Sequence, residues 1–454
     1  MKPPSSERSL RSLARRVWRS ATQQVMSLKA IGMGLNVLVD ILIAARLGTT
    51  GVTDALVIAL SVPFFVDTVT RESSNFSLVP VFVRRRARGE RADYEGFFSG
   101  LLNLALATGL VLAVAVELLA PFVVGVLGPG LSAGARSHGA AMLRIAAPML
   151  LFAPGITLQG VVLDSARRFN FSALRNAVAP GTVAVVLGLT WTLKDPTVWI
   201  VGAYSLGFLL YFVIMHLAVR SSGHRHVWRA WPSAEDLRDV RGAVGWPTLG
   251  FVVRQGSHFV ERMLASLVAP GGVSAYYFAF RLYSACQTLI GSSVATTGLP
   301  ALSSLNADGK TGRMLARLRS RVKVTLALVV PAAAVILLFH DPIVTLLYRR
   351  GAFDASAVER TGSLLFWLGW GVIFGSLVSV LQSALYALED YLGVFRNMAT
   401  MAVLDVLLAV GLSHLLGLRG IALAVSITAA ASVSNVLYLL GRRGITPRRL
   451  WSAS

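Results

Sequence analysis

At 454 residues, 55% hydrophobic and only 14% charged, the chain is too apolar for an ordinary water-soluble globule and reads as a polytopic membrane protein. Its formal net charge of +21 does not point to nucleic acid, because the arginines sit in short connections between apolar runs, where membrane topology accounts for them. The single cysteine, Cys286, lies inside an apolar run, which leaves no intrachain disulfide and no thiolate metal cluster.

Residues 1–25 form a basic amphipathic arm in which Leu10, Leu13 and Val17 alternate with Arg8, Arg11 and Arg15, a spacing suited to a helix lying on an anionic membrane surface. About twelve spans of bilayer length follow, near 26–47, 54–82, 97–127, 139–163, 174–193, 197–219, 242–268, 272–303, 322–347, 357–388, 395–416 and 418–440. The first contains Gly34 and Asp40 and runs into Arg46, so it is expected to persist as a helix and not to be cleaved as a leader. The polar connection 224–241 separates an N-terminal six-helix lobe, 26–223, from a C-terminal one, 242–441, with a tail at 442–454. The expected fold is an all-α polytopic membrane protein with two six-helix lobes around a central cavity.

Alternate connections are rich in arginine. One set holds Arg84 to Arg86, Arg88 and Arg91, then Arg167, Arg168 and Arg175, then Arg220, Arg225, Arg229, Arg238 and Arg241, then Lys310 to Lys323, and Arg396. The arm and the tail with Arg442, Arg443, Arg448 and Arg449 fall on the same side, so both termini are expected in the cytoplasm. A faint repeat links the lobes. Gly51-Val52-Thr53 opens the second span and Val79-Pro80-Val81 closes it, while Gly272-Val273-Ser274 and Leu299-Pro300-Ala301 bracket the eighth, as in transporters that hold a site between two repeats.

The seventh span carries Arg254, His258, Glu261 and Arg262, which at about 100° per residue share one stripe of the helix. Charges at bilayer depth persist only beside partners, water or a polar ligand. Either Glu261 pairs with Arg254 or Arg262 to dock this helix, or the stripe faces a polar interior. The first lobe is charged at depth as well, through Asp40, Asp54, Asp67, Arg71 and Glu72. Asp67 and Arg71 are four apart and are expected to pair, which leaves Asp40 and Glu72 without local partners; Arg254, Arg262 and Arg281 are candidates to supply them. No HExxH, aspartate cluster, phosphate loop or nucleophile motif occurs, so an enzyme is not expected. Arginine suits a phosphate through its planar, always-charged fork, and a carboxylate beside it suits coupling to a proton or sodium gradient.

The run Asp40-Ile-Leu-Ile-Ala-Ala-Arg46-Leu-Gly48, then Thr53-Asp54-Ala55, Pro63, Glu72, Phe76 and Val79-Pro80, resembles the first two helices of the MurJ/MviN lipid II flippases, within the multidrug/oligosaccharidyl-lipid/polysaccharide exporter superfamily. The likeness continues at Gly272-Val273-Ser274, Tyr277, Arg281-Leu282, Leu299-Pro300, Arg350-Gly351-Ala352-Phe353 and Tyr386-Ala387-Leu388. The resemblance implies a two-lobe carrier in the bacterial inner membrane. It would turn a polyprenyl-pyrophosphate-linked glycan from the inner to the outer leaflet by alternating access, in contact with membrane lipids and with envelope-synthesis proteins as further partners. No cofactor and no metal are implied.

Asp40, Asp54, Glu72 and Arg281 match positions that the family associates with its cavity or function. Val39, Asp67 and Phe280 depart from it, the first two standing where relatives carry arginine. Arg71, Arg254 and Arg262 are expected to restore that positive charge. The family's flippases also carry two further helices that hold the lipid tail, whereas this sequence ends soon after Leu440; the substrate readings therefore stay open between lipid II and an exopolysaccharide or O-antigen repeat unit. A cation-coupled drug exporter, a lipid-modifying enzyme and a non-transporting scaffold for envelope synthesis are the competing classes.

Overall fold

A computed structural model describes residues 5–87, 91–166, 168–228 and 230–445. Arg88, Arg167, Arg229, Arg448 and Arg449 lie outside them, as do the side chains of the arm up to residue 23 and those of Phe76, Pro80, Arg84, Arg86 and Arg91. The described residues are helical almost throughout. In order they form α1 (Ser5–Leu47), α2 (Gly51–Ala87), α3 (Arg91–Leu127), α4 (Ala133–Ser165), α5 (Phe169–Ala173), α6 (Arg175–Leu189) and α7 (Thr197–Ser221). There follow α8 (Ala234–Val268), α9 (Gly272–Gln287), a π turn (Thr288–Ser292), α10 (Ser293–Ala307), α11 (Thr311–Tyr348), α12 (Ala355–Ala387), α13 (Tyr391–Leu416) and α14 (Leu418–Arg442). In a solvent that cannot hydrogen-bond the backbone, helices satisfy every amide internally, which is why an apolar chain of this kind resolves into helices alone.

Nine of the described helices are long and apolar enough to cross a bilayer. Within the span of α3, Tyr94–Leu127, the most apolar 18 residues have a mean hydropathy of 2.6, and its Val111, Leu118 and Phe122 are largely exposed, Leu118 to 74%. Such a surface is stable only against lipid. Three predicted spans fall on helices outside that set: α6 is short, α8 carries the charged stripe, and 272–303 is divided among α9, the π turn and α10. The arm and the first span are one helix of 43 residues, about 65 Å long at 1.5 Å per residue. Helix α11 is broken at Phe339, where φ is −124° and ψ is 27°. Pro342 lies three residues on; its ring clashes with the carbonyl four residues before it and it has no N–H to donate.

The contacts group the chain into two units. The first comprises 1–42, 62–119 and 142–244; the second comprises 43–61, 120–141 and 245–454. The lobes drawn at 224–241 follow chain order, whereas the contacts assign residues 43–61 and 120–141 to the same unit as the C-terminal segment.

In the first unit, Phe82 packs on Phe97 and Tyr94 at ring distances of 5.0 and 6.0 Å, and Phe64 on Tyr204 at 5.4 Å. Arg85 donates to Asp236 at 2.8 Å and to Asp239 at 3.2 Å while lying 4.8 Å over the Phe97 ring. It thereby ties the end of α2 to the start of α8. In the second unit, Phe278, Tyr348 and Phe353 form a buried cluster with ring distances of 5.1 to 5.6 Å. The Ala352 amide donates to the Ala45 carbonyl at 2.7 Å, which gives the Arg350-Gly351-Ala352-Phe353 motif a packing role against the end of α1.

Candidate functional site

Helix α8 carries the predicted stripe, and the structure grades it by depth. Arg254 is exposed, His258 and Arg262 are half-buried, and Glu261 is only 2% exposed. Glu261 pairs with neither arginine. It accepts hydrogen bonds from His258 Nδ1 at 3.0 Å and from the Tyr276 hydroxyl on α9 at 2.6 Å, and it is hydrogen-bonded to Asp405 on α13. This corrects the docking reading of the stripe. Helix spacing placed His258 and Glu261 on one face, and this buried carboxylate takes one donor from its own helix, His258, and one from α9, Tyr276.

Sequence reasoning missed Asp405 and Tyr276. The signal was present, since Asp405 is a lone acid in the middle of an apolar span, and such a residue needs a partner or a function. Arg254 and Arg262 have no ion-pair partner among the described residues. Arg281 is half-buried on α9, 5.8 Å over the ring of Tyr277.

Asp54 is 1% exposed at the start of α2. Its Oδ2 accepts from the Gly271 amide at 2.7 Å, and its Oδ1 from the Ser274 amide and hydroxyl, each at 2.7 Å. The carboxylate therefore caps the positive end of α9 from another helix. Gly271 makes the approach possible: its φ is +76°, and a Cβ there would lie 2.2 Å from the Thr49 carbonyl oxygen. The acid that follows the Gly51 triplet thus meets the Gly272 triplet at this cap.

In the first unit, the expected Asp67–Arg71 pair does not form. Asp67 pairs with Arg175 at the start of α6, and Arg71 pairs with Glu72 at 2.7 Å. Asp67 is 8% exposed, so a guanidinium brought in from another helix reaches it where the neighbour one turn along its own helix does not. Glu72 accordingly has a local partner after all, and Arg71 is a compensated cation. Asp40 is buried on α1 at 3% exposure. Among the described residues no group of histidine, cysteine, aspartate and glutamate is arranged to hold a metal ion.

Apolar spans with ionisable side chains buried inside each unit define a multi-span helical membrane protein. The chain belongs to the lipid II flippase MurJ family, whose family model matches residues 43–454. A probable lipid II flippase MurJ of Thermotoga maritima is 23% identical over 390 residues, covering 86% of this chain and 78% of the relative. One from Vibrio cholerae is 24% identical over 447 residues, covering 94% and 84%. A solved structure described as lipid II flippase MurJ in an inward closed conformation superposes with a TM-score of 0.81 at 20% identity, covering 96% of this chain and 89% of the other; this likeness is one of fold. Membership places the chain among transporters and not among enzymes, in agreement with the resemblance read from Asp40 onward.

Proposed function

We propose that this protein is a flippase that carries a polyprenyl-pyrophosphate-linked glycan, lipid II for peptidoglycan synthesis, from the inner to the outer leaflet of the bacterial cytoplasmic membrane by alternating access. Family membership over residues 43–454 supports the class. The observation that carries the substrate's chemistry is the state of Arg254 and Arg262. Both stand on α8 without an acidic partner among the described residues, while the neighbouring Glu261 is fully engaged elsewhere. Two cations without a direct ion pair on a membrane helix favour an anionic ligand such as a pyrophosphate, and they disfavour the cationic substrates of a drug exporter.

Arg254, Arg262 and Arg281 receive the pyrophosphate, whereas Arg71 is held by Glu72. Asp54 holds the start of α9, and within the first unit Asp67 and Glu72 hold Arg175 and Arg71. Glu261, His258 and Asp405 form the group through which a proton or sodium gradient acts, because ionisable side chains buried in a membrane helix bundle are where a bound ion changes the charge of the interior. Both termini face the cytoplasm, as the arginine bias requires, where envelope-synthesis proteins have access to them.

The test is a leaflet-resolved assay in proteoliposomes, run with lipid II and with an unrelated polyprenyl-linked oligosaccharide, beside complementation of a flippase-depleted cell. Replacing Arg254 and Arg262 together by alanine is expected to lower lipid II transport by about tenfold or more, the worth of one to two charge-assisted phosphate contacts. Undiminished transport by an inserted double variant refutes the assignment. Activity with the oligosaccharide alone moves the substrate to a different lipid-linked glycan.

A further inference from the structure

Within the first unit, the C-terminal end of α7 and the connection that follows it enclose a cavity of about 710 Å³. Its polar lining is His216 and Arg220 from α7 with His224, Arg225, His226 and Trp228 from the connection, and no carboxylate is among the lining residues. The wall is fixed in place. Asn103 Nδ2 on α3 donates to the carbonyls of Val227, Trp228 and Ala230 at 3.2, 3.0 and 2.8 Å, and the Val227 amide donates to Ser99 Oγ at 3.0 Å. At Gly100 the backbone of Trp231 and Pro232 approaches so closely that a Cβ would lie 2.8 Å from it. A stretch that reads in the sequence as a solvated, topology-setting loop is therefore packed as a wall.

The charged groups in this cavity favour an anion. Arg220 and Arg225 are both exposed at the open side of the cavity, and neither has an acidic partner among the described residues. His226 Nε2 lies 2.9 Å from Asn103 Oδ1. Because the Asn103 amide nitrogen is committed to carbonyls, its oxygen must accept, so His226 carries its hydrogen on Nε2. That leaves His226 Nδ1 buried and without a partner. Burial, and then the neighbouring His216, push the His226 imidazole below its ordinary value, so the ring is neutral while the surrounding groups, His216 held by Gln159 at 3.3 Å and the two arginines, are neutral or cationic. An incoming anion relieves the arginines and lets Nδ1 take up a proton and donate it in a hydrogen bond. Trp228 and Trp231, 74% and 63% exposed, flank the region with rings suited to the headgroup layer of a membrane.

We propose that this cavity is a phosphate-binding site, separate from the residues assigned to the transported lipid, which takes either the phosphate head of an anionic phospholipid or a soluble phosphate. Planar guanidiniums donate paired hydrogen bonds to phosphate oxygens, and a wall fixed in advance lowers the entropic penalty of binding. A cavity of about 710 Å³ accommodates a phosphate with its glycerol or sugar.

The full chain is reconstituted in nanodiscs of pure phosphatidylcholine, and its thermal midpoint is followed by tryptophan fluorescence while inorganic phosphate is added against sodium chloride of equal ionic strength. A second set of discs contains about one third phosphatidylglycerol, an anionic surface of the kind that basic segments recognise. Arg220→Gln with Arg225→Gln is compared with Arg238→Gln and Arg241→Gln, which removes the same charge outside the cavity; Arg225→Gln alone serves if the first pair does not insert. A saturable shift with phosphate, weakened at least about tenfold by the cavity pair and kept by the control pair, identifies a soluble phosphate as the ligand. A shift with phosphatidylglycerol alone, with the same dependence on the cavity pair, identifies the lipid head. No shift with either probe, or equal loss in both variant pairs, overturns the proposal.

Discussion

Replacing Asp54 by alanine tests how the second unit is held together. The carboxylate takes three hydrogen bonds of 2.7 Å from Gly271 and Ser274. The Ser274 hydroxyl keeps an alternative acceptor, the Gly271 carbonyl at 3.2 Å, so alanine orphans chiefly the two backbone amides. Each unsatisfied buried donor costs about 1–3 kcal/mol, and losing a negative charge at a helix N-terminus adds about 0.3–1 kcal/mol. Release of a buried carboxylate from its desolvation penalty offsets part of this, which leaves a net loss of about 3 kcal/mol. Asparagine keeps one acceptor but turns its amide nitrogen on a donor, so the expected order of stability is wild type, then Asp54→Asn, then Asp54→Ala. Thermal unfolding of the three purified proteins in one detergent checks it. Equal midpoints for wild type and Asp54→Ala, or for the two variants, would refute the capping account.

Removing Arg175 leaves Asp67 buried and unpaired, so Arg175→Ala is expected to destabilise by about 3–5 kcal/mol. The double variant with Asp67→Ala should recover much of that, as read in a double-mutant cycle. Asp405→Asn still donates to Glu261 and is expected to insert and fold like wild type while flattening the pH dependence of transport; an unchanged profile removes Asp405 from the coupling group. Asp390 lies between α12 and α13, where hydrogen bonds from Arg443 at 2.9 and 3.0 Å hold its carboxyl below the usual range. A depressed folded value means that its contribution is complete above the unfolded value of about 3.9 and is lost as pH falls through the folded one. The gap in thermal midpoint between wild type and Asp390→Asn should therefore be full at neutral pH and close in strong acid, and a gap independent of pH rules the pair out as its cause.

Much of the architecture was legible in the order of residues, because length and apolarity set what crosses a bilayer and what connects the crossings. The family pattern was legible for the same reason: Arg350-Gly351-Ala352-Phe353 and Thr53-Asp54 are short motifs whose backbone contacts tolerate little else. Pairings were not. Helix periodicity says which side chains share a face of one helix, and it put Asp67 with Arg71 and Glu261 with its neighbouring arginines. Asp67 instead found Arg175 on another helix, and Glu261 found His258 on its own stripe together with Tyr276 on α9. Nothing in local spacing encodes which helix will be adjacent. Asp405 was nonetheless within reach, since an isolated acid in a span is conspicuous without any knowledge of its neighbours.

The π turn at Thr288–Ser292 bears on how the eighth span should be read. A turn closed by i→i+5 bonds accommodates an added residue without breaking the rod, and each residue rotates the downstream half of the helix by about 100°. A helical wheel drawn straight through 272–303 therefore mixes two phases, and Arg281 cannot be aligned by counting with anything beyond Ser293. Deleting one residue between Thr288 and Ser292 would restore a uniform repeat and swing the face bearing Pro300 and Leu302 out of register with α9, so the length of this short insert fixes which side of the rod each half presents.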